Sequence, residues 1–387
     1  MSFQNCSLVF NENAQRVFFS GQTVNGVFNI NQAEPKKIQS MLFQIAGETR
    51  VRWSESHGTG KHRRTVVYSG HEIYFKTAPI NLTGGYPYND GNVEIPAGLS
   101  SFNFSVQLPP MLPSSFEGTY GKIRYYIKVT IARSYKMDKT AKFPFTVICM
   151  SDLNANPINC MPLRQELKQD YSFLLANKGT LHMTIDLPMT GYVPGQQVPV
   201  TCSVRNNSKI KITSFTMCIE RVVTYSCLSP YPKCRYGRHK LVEYIGKGAE
   251  KGEEMQFQVA LLLPGVPPSS TFPSLITFQY FVKVRAIAGG MHSNLKFHMP
   301  INIGNVPVYT GQYNGGASTS SGPYDPSSSG QASAPPPEYA QIGLPTYEES
   351  QVSSKMEEAD PDDEDSGTAY APRYPVYQFN MQKPLLQ

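Results

Sequence analysis

The sequence predicts an all-β protein made of two tandem β-sandwiches and a disordered C-terminal tail. Three observations carry this prediction: apolar and polar residues alternate at period two, a set of short motifs occurs twice, and the composition changes near residue 305. Alternation at period two is typical of antiparallel strands that bury one face. We therefore expect an N-terminal sandwich over residues 1–150, a C-terminal sandwich over 151–304 and the tail over 305–387.

Three motifs are repeated in the same order in the two halves of the body. The pairs are Gly21–Val24 with Gly195–Val198, Leu108–Ser115 with Leu263–Ser270, and Tyr125–Val129 with Tyr280–Val284. The first pair is separated by 174 residues and the other two by 155, so the first half holds 19 extra residues. We expect these between Arg52 and Glu94, as an elaborated loop, because that region is rich in Gly, Asn and His.

Strand-like alternation is clearest next to the repeated motifs. Apolar residues fall on one face over residues 102–108, and the second half repeats the pattern over 257–263. No stretch of the body has the periodicity of an amphipathic helix of 12 residues or more, and only residues 163–175 are expected to hold a short helical turn. The single tryptophan, Trp53, is expected in the core.

The net charge of +6 hides an asymmetry between the body and the tail. Residues 305–387 hold 3 basic and 11 acidic residues, whereas residues 1–304 hold 32 basic and 18 acidic ones. The tail is rich in Gly, Ser and Pro and poor in aliphatic residues, so it cannot bury enough surface to offset its loss of entropy on ordering. The acidic run at 357–365 is typical of a solvated, self-repelling segment.

The tail contains a complete Pro-Pro-x-Tyr motif, formed by Pro336, Pro337 and Tyr339. Consecutive prolines favour the polyproline II helix, so little entropy is lost when the segment docks in the aromatic groove of a WW domain. The tyrosine returns to the same face of this helix and can enter a second pocket. Two other interpretations stay open: an endocytic Tyr-x-x-apolar sorting signal over Tyr339–Ile342, and a tail segment that has no partner.

A second, degenerate copy of the motif follows at Leu344, Pro345 and Tyr347. Leu344 stands where the first Pro of the motif is needed, so we expect this site to be an auxiliary WW ligand. Two weak ligands on one tail gain affinity when the partner carries several WW domains, because the second contact forms at a high effective concentration. A later string, Ala371–Tyr374, lacks the first Pro as well.

Taken together, these features resemble the α-arrestins, the arrestin domain-containing proteins. The resemblance rests on the doubled sandwich, the Gly-Gln-x-Val opening of each copy, the Leu-Pro…Pro-Ser-Ser and Tyr-x-x-Lys-Val blocks, and the Pro-Pro-x-Tyr tail. It covers about residues 5–304 and the tail motif. It implies that both domains are arrestin-like β-sandwiches, in the immunoglobulin-like class.

The same resemblance implies an adaptor function. Such adaptors use Pro-Pro-x-Tyr to recruit WW-domain-containing HECT-type ubiquitin ligases to membrane receptors and transporters, and ubiquitination then drives endocytosis and endosomal sorting. It implies a cytoplasmic protein that is peripheral at the plasma membrane and at endosomes. The alternative is a trafficking scaffold that binds sorting proteins through the arrestin-like body, independently of ubiquitin.

Three clusters of basic residues mark the surface of the body. They are Lys61, Arg63 and Arg64 in the first-half insertion, Lys209 and Lys211 on one face of a predicted strand, and Arg235, Arg238 and Lys240. The ordinary interpretation of each cluster is a solvated loop or strand face. The sharper interpretation is contact with acidic receptor tails or with anionic headgroups, where each Lys or Arg contributes about 1 kcal/mol. Nucleic acid is not an expected partner, because no basic motif is interleaved with aromatic residues.

We expect neither an enzyme nor a metal or cofactor site, and no residue is a candidate for catalysis. The sequence has no His-Glu-x-x-His and no Gly-x-Ser-x-Gly, and Gly58–Lys61 is a poor match to a phosphate loop because His62 follows it. The seven cysteines lack a zinc-binding spacing and are expected as free thiols. No apolar run approaches 18 residues and no signal peptide is recognisable, so no membrane span is expected.

Overall fold

The computed structural model describes residues 6–11, 13–84, 88–89, 92–173, 176–309, 342–343 and 370–378. Throughout this described part the chain forms strands and short connections, with no α-helix. Short 3₁₀ turns occur at Gly60–His62, Leu153–Ala155 and Pro157–Cys160. The strands assemble into two β-sandwiches, which confirms the fold class that the alternation of the sequence predicts.

The first sandwich is built from two main sheets. Its strands are β1 Cys6–Phe10, β2 Val17–Phe19, β3 Thr23–Gln32, β4 Lys36–Ile38, β5 Ser40–His57, β6 Arg64–Lys76, β7 Ile80–Asn81, β8 Tyr88–Asn89, β9 Asn92–Ile95, β10 Gly98–Gln107, β11 Phe116–Gly118, β12 Gly121–Arg133 and β13 Lys136–Ile148. One sheet has the order β1-β3-β10, and the other has the order β2-β13-β12-β5-β6. Strands β11 and β7 pair with β12 and β5, and β4, β9 and β8 form a small separate sheet.

The second sandwich also has two sheets. Its strands are β14 Leu163–Phe173, β15 Ala176–Leu187, β16 Gly191–Tyr192, β17 Gln197–Ser208, β18 Ile212–Cys227, β19 Lys233–Ala249, β20 Glu254–Leu262, β21 Ile276–Ala288 and β22 Leu295–Ile303. The sheets have the orders β14-β15-β17-β20 and β16-β22-β21-β18-β19. The second of these repeats β2-β13-β12-β5-β6 strand for strand, including a parallel pair at one end. The structure therefore confirms the duplication that the repeated motifs predict.

The core of each sandwich contains a buried tyrosine from the repeated Tyr-x-x-Lys-Val block. Tyr125 and Tyr280 are 0% and 1% exposed. Their hydroxyls donate hydrogen bonds of 2.6 Å to the carbonyl oxygens of Pro113 and Pro267. Both acceptors lie in the repeated Leu-Pro…Pro-Ser-Ser block, so the repeated sequence blocks contact each other in space. Trp53 is also buried, as expected, and it stacks on the ring of Tyr68.

Strand β14 occupies the segment where the sequence predicts a helical turn, so that prediction is wrong. The apolar residues Leu163, Leu167 and Tyr171 recur every four positions, which matches a helical face. In the strand, Gln165 and Gln169 lie between them on the same, partly buried face. Antiparallel pairing with β15 along the whole segment stabilises the extended conformation instead.

The extra residues of the first half lie in the predicted region, but much of that region forms strands and not a loop. Strands β5 and β6 form a long hairpin that is equivalent to the β18–β19 hairpin, so the expectation of a loop is wrong for Arg64–Lys76. The strand pairing matches Trp53 and Tyr68 with Cys227 and Lys233, so the tip of the first hairpin is longer by nine residues. The other additional residues lie between β6 and β10, where β7, β8 and β9 are inserted. In the second sandwich, residues 250–253 alone join β19 to β20.

Part of the predicted tail packs on the body. Residues 305–309 follow directly from β22. Strand β23, Ile342–Gly343, pairs antiparallel with β24, Val376–Tyr377. Residues 370–378 lie against both sandwiches and Tyr374 is only 7% exposed, so the expectation of disorder is wrong for this segment. The rest of the predicted disordered tail lies outside the described residues.

Candidate functional site

The Pro-Pro-x-Tyr motif and its degenerate copy lie outside the described residues. These positions are Pro336, Pro337, Tyr339, Leu344, Pro345 and Tyr347. Strand β23 lies between the two motifs, and its partner is the docked segment 370–378, which lies against the body.

The two long hairpins meet at the seam between the sandwiches. The amide of Ser69 donates a 2.9 Å hydrogen bond to the Ser229 carbonyl, and the amides of Leu228 and Ser229 donate to the Ser69 carbonyl. The hydroxyls of Tyr68 and Tyr231 lie 2.6 Å apart. The seam therefore has backbone and side-chain hydrogen bonds that join equivalent hairpins of the two repeats.

A charged pair spans the same seam. Lys233 Nζ lies 2.5 Å from Glu55 Oε2 and 4.6 Å from the centroid of the Tyr68 ring. The Arg235 guanidinium lies 3.9 Å from the centroid of the Tyr120 ring. The hydrogen bond from Lys233 holds the pKa of the Glu55 carboxyl below its usual range, and the same bond raises the pKa of Lys233.

The first basic cluster lies at the tip of the β5–β6 hairpin. Arg63 and Arg64 are both exposed, and the Arg63 guanidinium donates a 3.1 Å hydrogen bond to Ser56 Oγ. The side chain of Lys61 lies outside the described residues. Because Ser56 is the neighbour of Glu55, this cluster lies close to the part of the seam where Lys233 is bound.

The second basic cluster lies in a bend, so the prediction of a strand face there is wrong. Lys209 and Lys211 fall between the end of β17 at Ser208 and the start of β18 at Ile212. Both lysines are exposed, as the predicted alternation requires. Lys211 Nζ lies 2.5 Å from Glu250 Oε1, and its hydrogen bond lowers the pKa of that carboxyl.

The third basic cluster follows strand β19 away from the seam. Arg238 Nη1 lies 3.4 Å from Glu220 Oε2, and Lys240 Nζ lies 2.7 Å from Glu243 Oε1. Arg238 borders a shallow depression of about 260 Å³. Its lining is Glu220, Val222, Tyr236, Arg238, Gln279, Phe281 and His298. Acidic partners within the body therefore already neutralise much of this cluster.

The third cluster begins at the seam with Arg235, the first lies near the seam, and the second lies far from it. Lys233 and Arg235, at the start of β19, contact residues of the first sandwich close to the hairpin tip that carries Arg63 and Arg64. Lys209 and Lys211 precede β18, a strand of 16 residues whose other end lies at the seam. At about 3.3 Å per residue, this strand separates the second cluster from the seam by roughly 50 Å.

The sequence-based reasoning missed the docking of residues 370–378. The Tyr370 hydroxyl donates a 3.0 Å hydrogen bond to the Phe145 carbonyl, and the Tyr374 hydroxyl donates one of 2.8 Å to the Ser115 carbonyl. The amide of Tyr377 donates to the Pro194 carbonyl at 3.0 Å. Three tyrosines occur within eight residues here, and such a cluster could have predicted a buried segment. The composition averaged over the whole tail does not show it.

Two further features of the described residues bear on a metal site and on a membrane span. Within them, no group of three or more His, Cys, Asp or Glu side chains is placed to hold a metal ion. The described part of the chain also has no helix with the length and apolarity that a membrane span requires. All seven cysteines are free thiols.

Comparison with known proteins gives matches for both halves. Residues 6–154 match the family model of the arrestin (or S-antigen) N-terminal domain, and residues 177–308 match that of the arrestin C-terminal domain. Arrestin domain-containing protein 17 of Caenorhabditis elegans is 28% identical over 313 residues, which cover 78% of this chain and 70% of that protein.

Two mammalian proteins show similar coverage of the chain. Mouse arrestin domain-containing protein 4 is 24% identical over 79% of this chain and 72% of its own length. Human arrestin domain-containing protein 1 is 26% identical over 76% of this chain and 62% of its own length. In each case the similarity extends across most of the chain.

Proposed function

Because this chain belongs to the arrestin family, in its α-arrestin branch of arrestin domain-containing proteins, we propose that it recruits WW-domain-containing HECT-type ubiquitin ligases to membrane cargo. The family relationship supports a trafficking adaptor that is not an enzyme. In this proposal the tail captures the ligase and the body contacts a receptor or transporter. Ubiquitination of that cargo then promotes its endocytosis and endosomal sorting, and the protein acts in the cytoplasm at the surface of these membranes.

One observation carries the ligase part of the proposal, namely the complete Pro-Pro-x-Tyr sequence of Pro336, Pro337 and Tyr339. Its prolines favour the polyproline II conformation that WW domains bind, and the tyrosine supplies a second anchor. Leu344, Pro345 and Tyr347 provide a weaker second ligand on the same chain. A partner with several WW domains gains from both, because the second contact is intramolecular.

Capture of the ligase by single-site variants tests this proposal. We expect Tyr339→Ala to reduce the binding of a tandem WW fragment by about 2 kcal/mol, roughly 30-fold, because an aromatic anchor is lost. Tyr347→Ala should have a smaller effect. Tyr324→Ala is the matched control, since it removes a tail tyrosine that no Pro-Pro pair precedes. Undiminished capture by the Tyr339→Ala, Tyr347→Ala double variant would contradict the proposal.

A ubiquitin-independent scaffold is the second candidate, and Tyr339–Ile342 is the observation that favours it, because these residues fit a Tyr-x-x-apolar sorting signal. Pro336→Ala separates the two functions, since it removes the WW ligand and leaves the sorting pattern intact. Under the adaptor proposal this variant fails to promote loss of cargo from the cell surface. If cargo loss proceeds at the wild-type rate, the scaffold function is favoured instead.

The basic clusters support contact between the body and anionic partners. Arg63 and Arg64 are exposed at a hairpin tip, whereas Lys211 is paired with Glu250. We therefore expect Arg63→Ala with Arg64→Ala to weaken binding to phosphatidylserine vesicles more than Lys209→Ala with Lys211→Ala does. Vesicle binding that is insensitive to both salt and anionic lipid would rule out this contact.

A further inference from the structure

A groove crosses the seam between the sandwiches and is filled by residues 370–378. The first sandwich offers the carbonyl oxygens of Ser115 and Phe145 to two tyrosine hydroxyls. The second sandwich offers the carbonyl oxygen of Pro194 to the amide of Tyr377 and that of Asn305 to its hydroxyl. Four backbone acceptors from both domains are thus satisfied by one short segment.

Apolar contacts follow the same division between the sandwiches. The ring of Tyr374 is buried in a cluster with Val17, Phe19 and Ile148 of the first sandwich. The ring of Tyr377 packs on a second cluster, formed by Leu153, Val193 and Val308. A tyrosine side chain combines a large apolar ring with a polar end, and both parts find partners here. The segment therefore bridges the domains through two anchors that lie three residues apart.

The groove fits this segment because residue 195 is a glycine. A Cβ atom on Gly195 would collide with the Tyr377 carbonyl oxygen and lie 2.8 Å from Val376 Cγ1. The equivalent residue of the first repeat, Gly21, has a similar φ of +84° against +88°, but a Cβ there would come no closer than 3.6 Å to Pro110. Both turns favour glycine for their backbone conformation. Only the second turn also needs it to admit the segment.

We propose that this groove is a peptide-binding site for tyrosine- and proline-containing segments, and that residues 370–378 of the same chain occupy it. The occupied groove fastens the two sandwiches to each other and keeps Tyr374 from other partners. A ligand of the same chemistry can enter only when the chain's own segment leaves. This proposal depends on the groove alone and is independent of ligase recruitment through Tyr339.

The first test measures whether an added peptide binds the groove when the chain's own segment has lost its anchors. Tyr374→Ala with Tyr377→Ala in the full chain removes both anchors, and neither residue belongs to a sandwich. A fluorescent peptide of residues 368–379 should bind this variant at least about tenfold more tightly than it binds the wild-type chain, where the tethered segment competes. The same peptide carrying both substitutions is the control and should not bind. Equal binding to variant and wild type, or no binding to the variant, would overturn the proposal.

The second test uses the two equivalent glycines. Trypsin cleavage between Arg373 and Tyr374, followed by mass spectrometry of the full chain, reports release of the segment. Gly195→Ala should accelerate this cleavage at least about tenfold, as expected for loss of local protection. Gly21→Ala imposes the same backbone strain without touching the segment, so it should leave the cleavage rate near that of the wild type. Equal acceleration by both variants would show that strain in the sandwiches, and not docking, controls the segment.

Discussion

The two sandwiches share a buried tyrosine contact and differ at other equivalent positions. Tyr125 and Tyr280 close their cores through hydrogen bonds of the same length to prolines of the same motif. By contrast, Glu220 of the second sandwich stands where the first has Ala46, and the docked segment covers Gly195 but leaves Gly21 untouched. The repeated motifs thus give both cores a common contact, while the divergent positions give each sandwich contacts that the other lacks.

The largest expected effect comes from breaking a contact that both sandwiches share. Tyr125→Ala or Tyr280→Ala removes a fully buried ring and leaves a carbonyl acceptor unpaired, so we expect each to lower the free energy of unfolding by about 3–5 kcal/mol. Urea unfolding followed by circular dichroism measures both. Trp53 is the single tryptophan and lies in the first sandwich, so its fluorescence should follow Tyr125→Ala more closely than Tyr280→Ala.

The corresponding Tyr→Phe variants separate the ring from the hydroxyl. Each keeps the packing and loses one hydrogen bond, so the expected loss is about 1–2 kcal/mol. If Tyr280→Phe were as unstable as Tyr280→Ala while Tyr125→Phe lost only this small amount, the equivalence of the two cores would be contradicted.

A smaller effect is expected where the end of the second sandwich differs from that of the first. Asn305 is 7% exposed; its side chain accepts a 2.7 Å hydrogen bond from the Ser151 amide and donates one of 2.6 Å to the Cys149 carbonyl. Cys149 occupies the equivalent position in the first repeat, by the pairing of the two strands with their neighbours. We expect Asn305→Ala to cost about 2–3 kcal/mol, because two backbone groups of the connection between the domains lose their partner. Cys149→Ala, measured in the same urea experiment, should cost less.

The divergence of Ala46 and Glu220 predicts a third difference. Lys283 Nζ donates a 2.8 Å hydrogen bond to Glu220 Oε1, and both side chains are largely buried. Lys283→Met should therefore lower the free energy of unfolding by about 1–2 kcal/mol. Lys128→Met, at the equivalent position of β12, beside a strand β5 that has Ala46 in place of Glu220, should change it by less than about 0.5 kcal/mol. Equal losses in the two variants would contradict the role assigned to Glu220.

The smallest expected effect concerns the charged pair at the seam. The pKa of Glu55 is lowered by Lys233, so the pair stabilises the folded chain fully above the ordinary carboxyl pKa of about 4.3, and this contribution is lost as the pH falls through the lowered value. Glu55→Gln should reduce the difference between the melting temperatures at pH 6 and pH 3. Lys233→Met should have the same effect, and an unchanged difference in both variants would exclude a contribution from the pair.

Much of the fold can be predicted from the sequence, because the period-two alternation and the duplicated motifs are local signals. Strand β14 is predicted wrongly, because Gln165 and Gln169 are polar residues on its inward face. The apolar residues that remain on this face recur every four positions, as they would in a helix. Lys209 and Lys211 alternate with isoleucines as in a strand, yet they lie in the bend between β17 and β18. Pairing with the following strand β15 decides the first conformation, and the turn into β18 decides the second; the apolar pattern of either segment records neither.

The candidate site is less predictable for the same reason. The Pro-Pro-x-Tyr motif of Pro336, Pro337 and Tyr339 can be recognised from the sequence, because consecutive prolines favour the conformation that a WW domain binds. The groove that holds Tyr374 and Tyr377 is not, because its walls come from two domains and its acceptors are backbone carbonyls. Composition classifies the whole tail as disordered, and only the clustering of tyrosines at 370–377 distinguishes the docked segment.

Attachment of the docked segment to the body sets a concentration threshold for any competitor. A ligand tethered through about 60 residues of its own chain is presented at an effective concentration on the order of millimolar. A free peptide at about 1 μM must therefore bind the groove roughly 1,000-fold more tightly to displace it. Occupancy at Gly195 is consequently insensitive to weak or scarce ligands, and it changes only for a partner that is abundant, multivalent or able to capture the released segment.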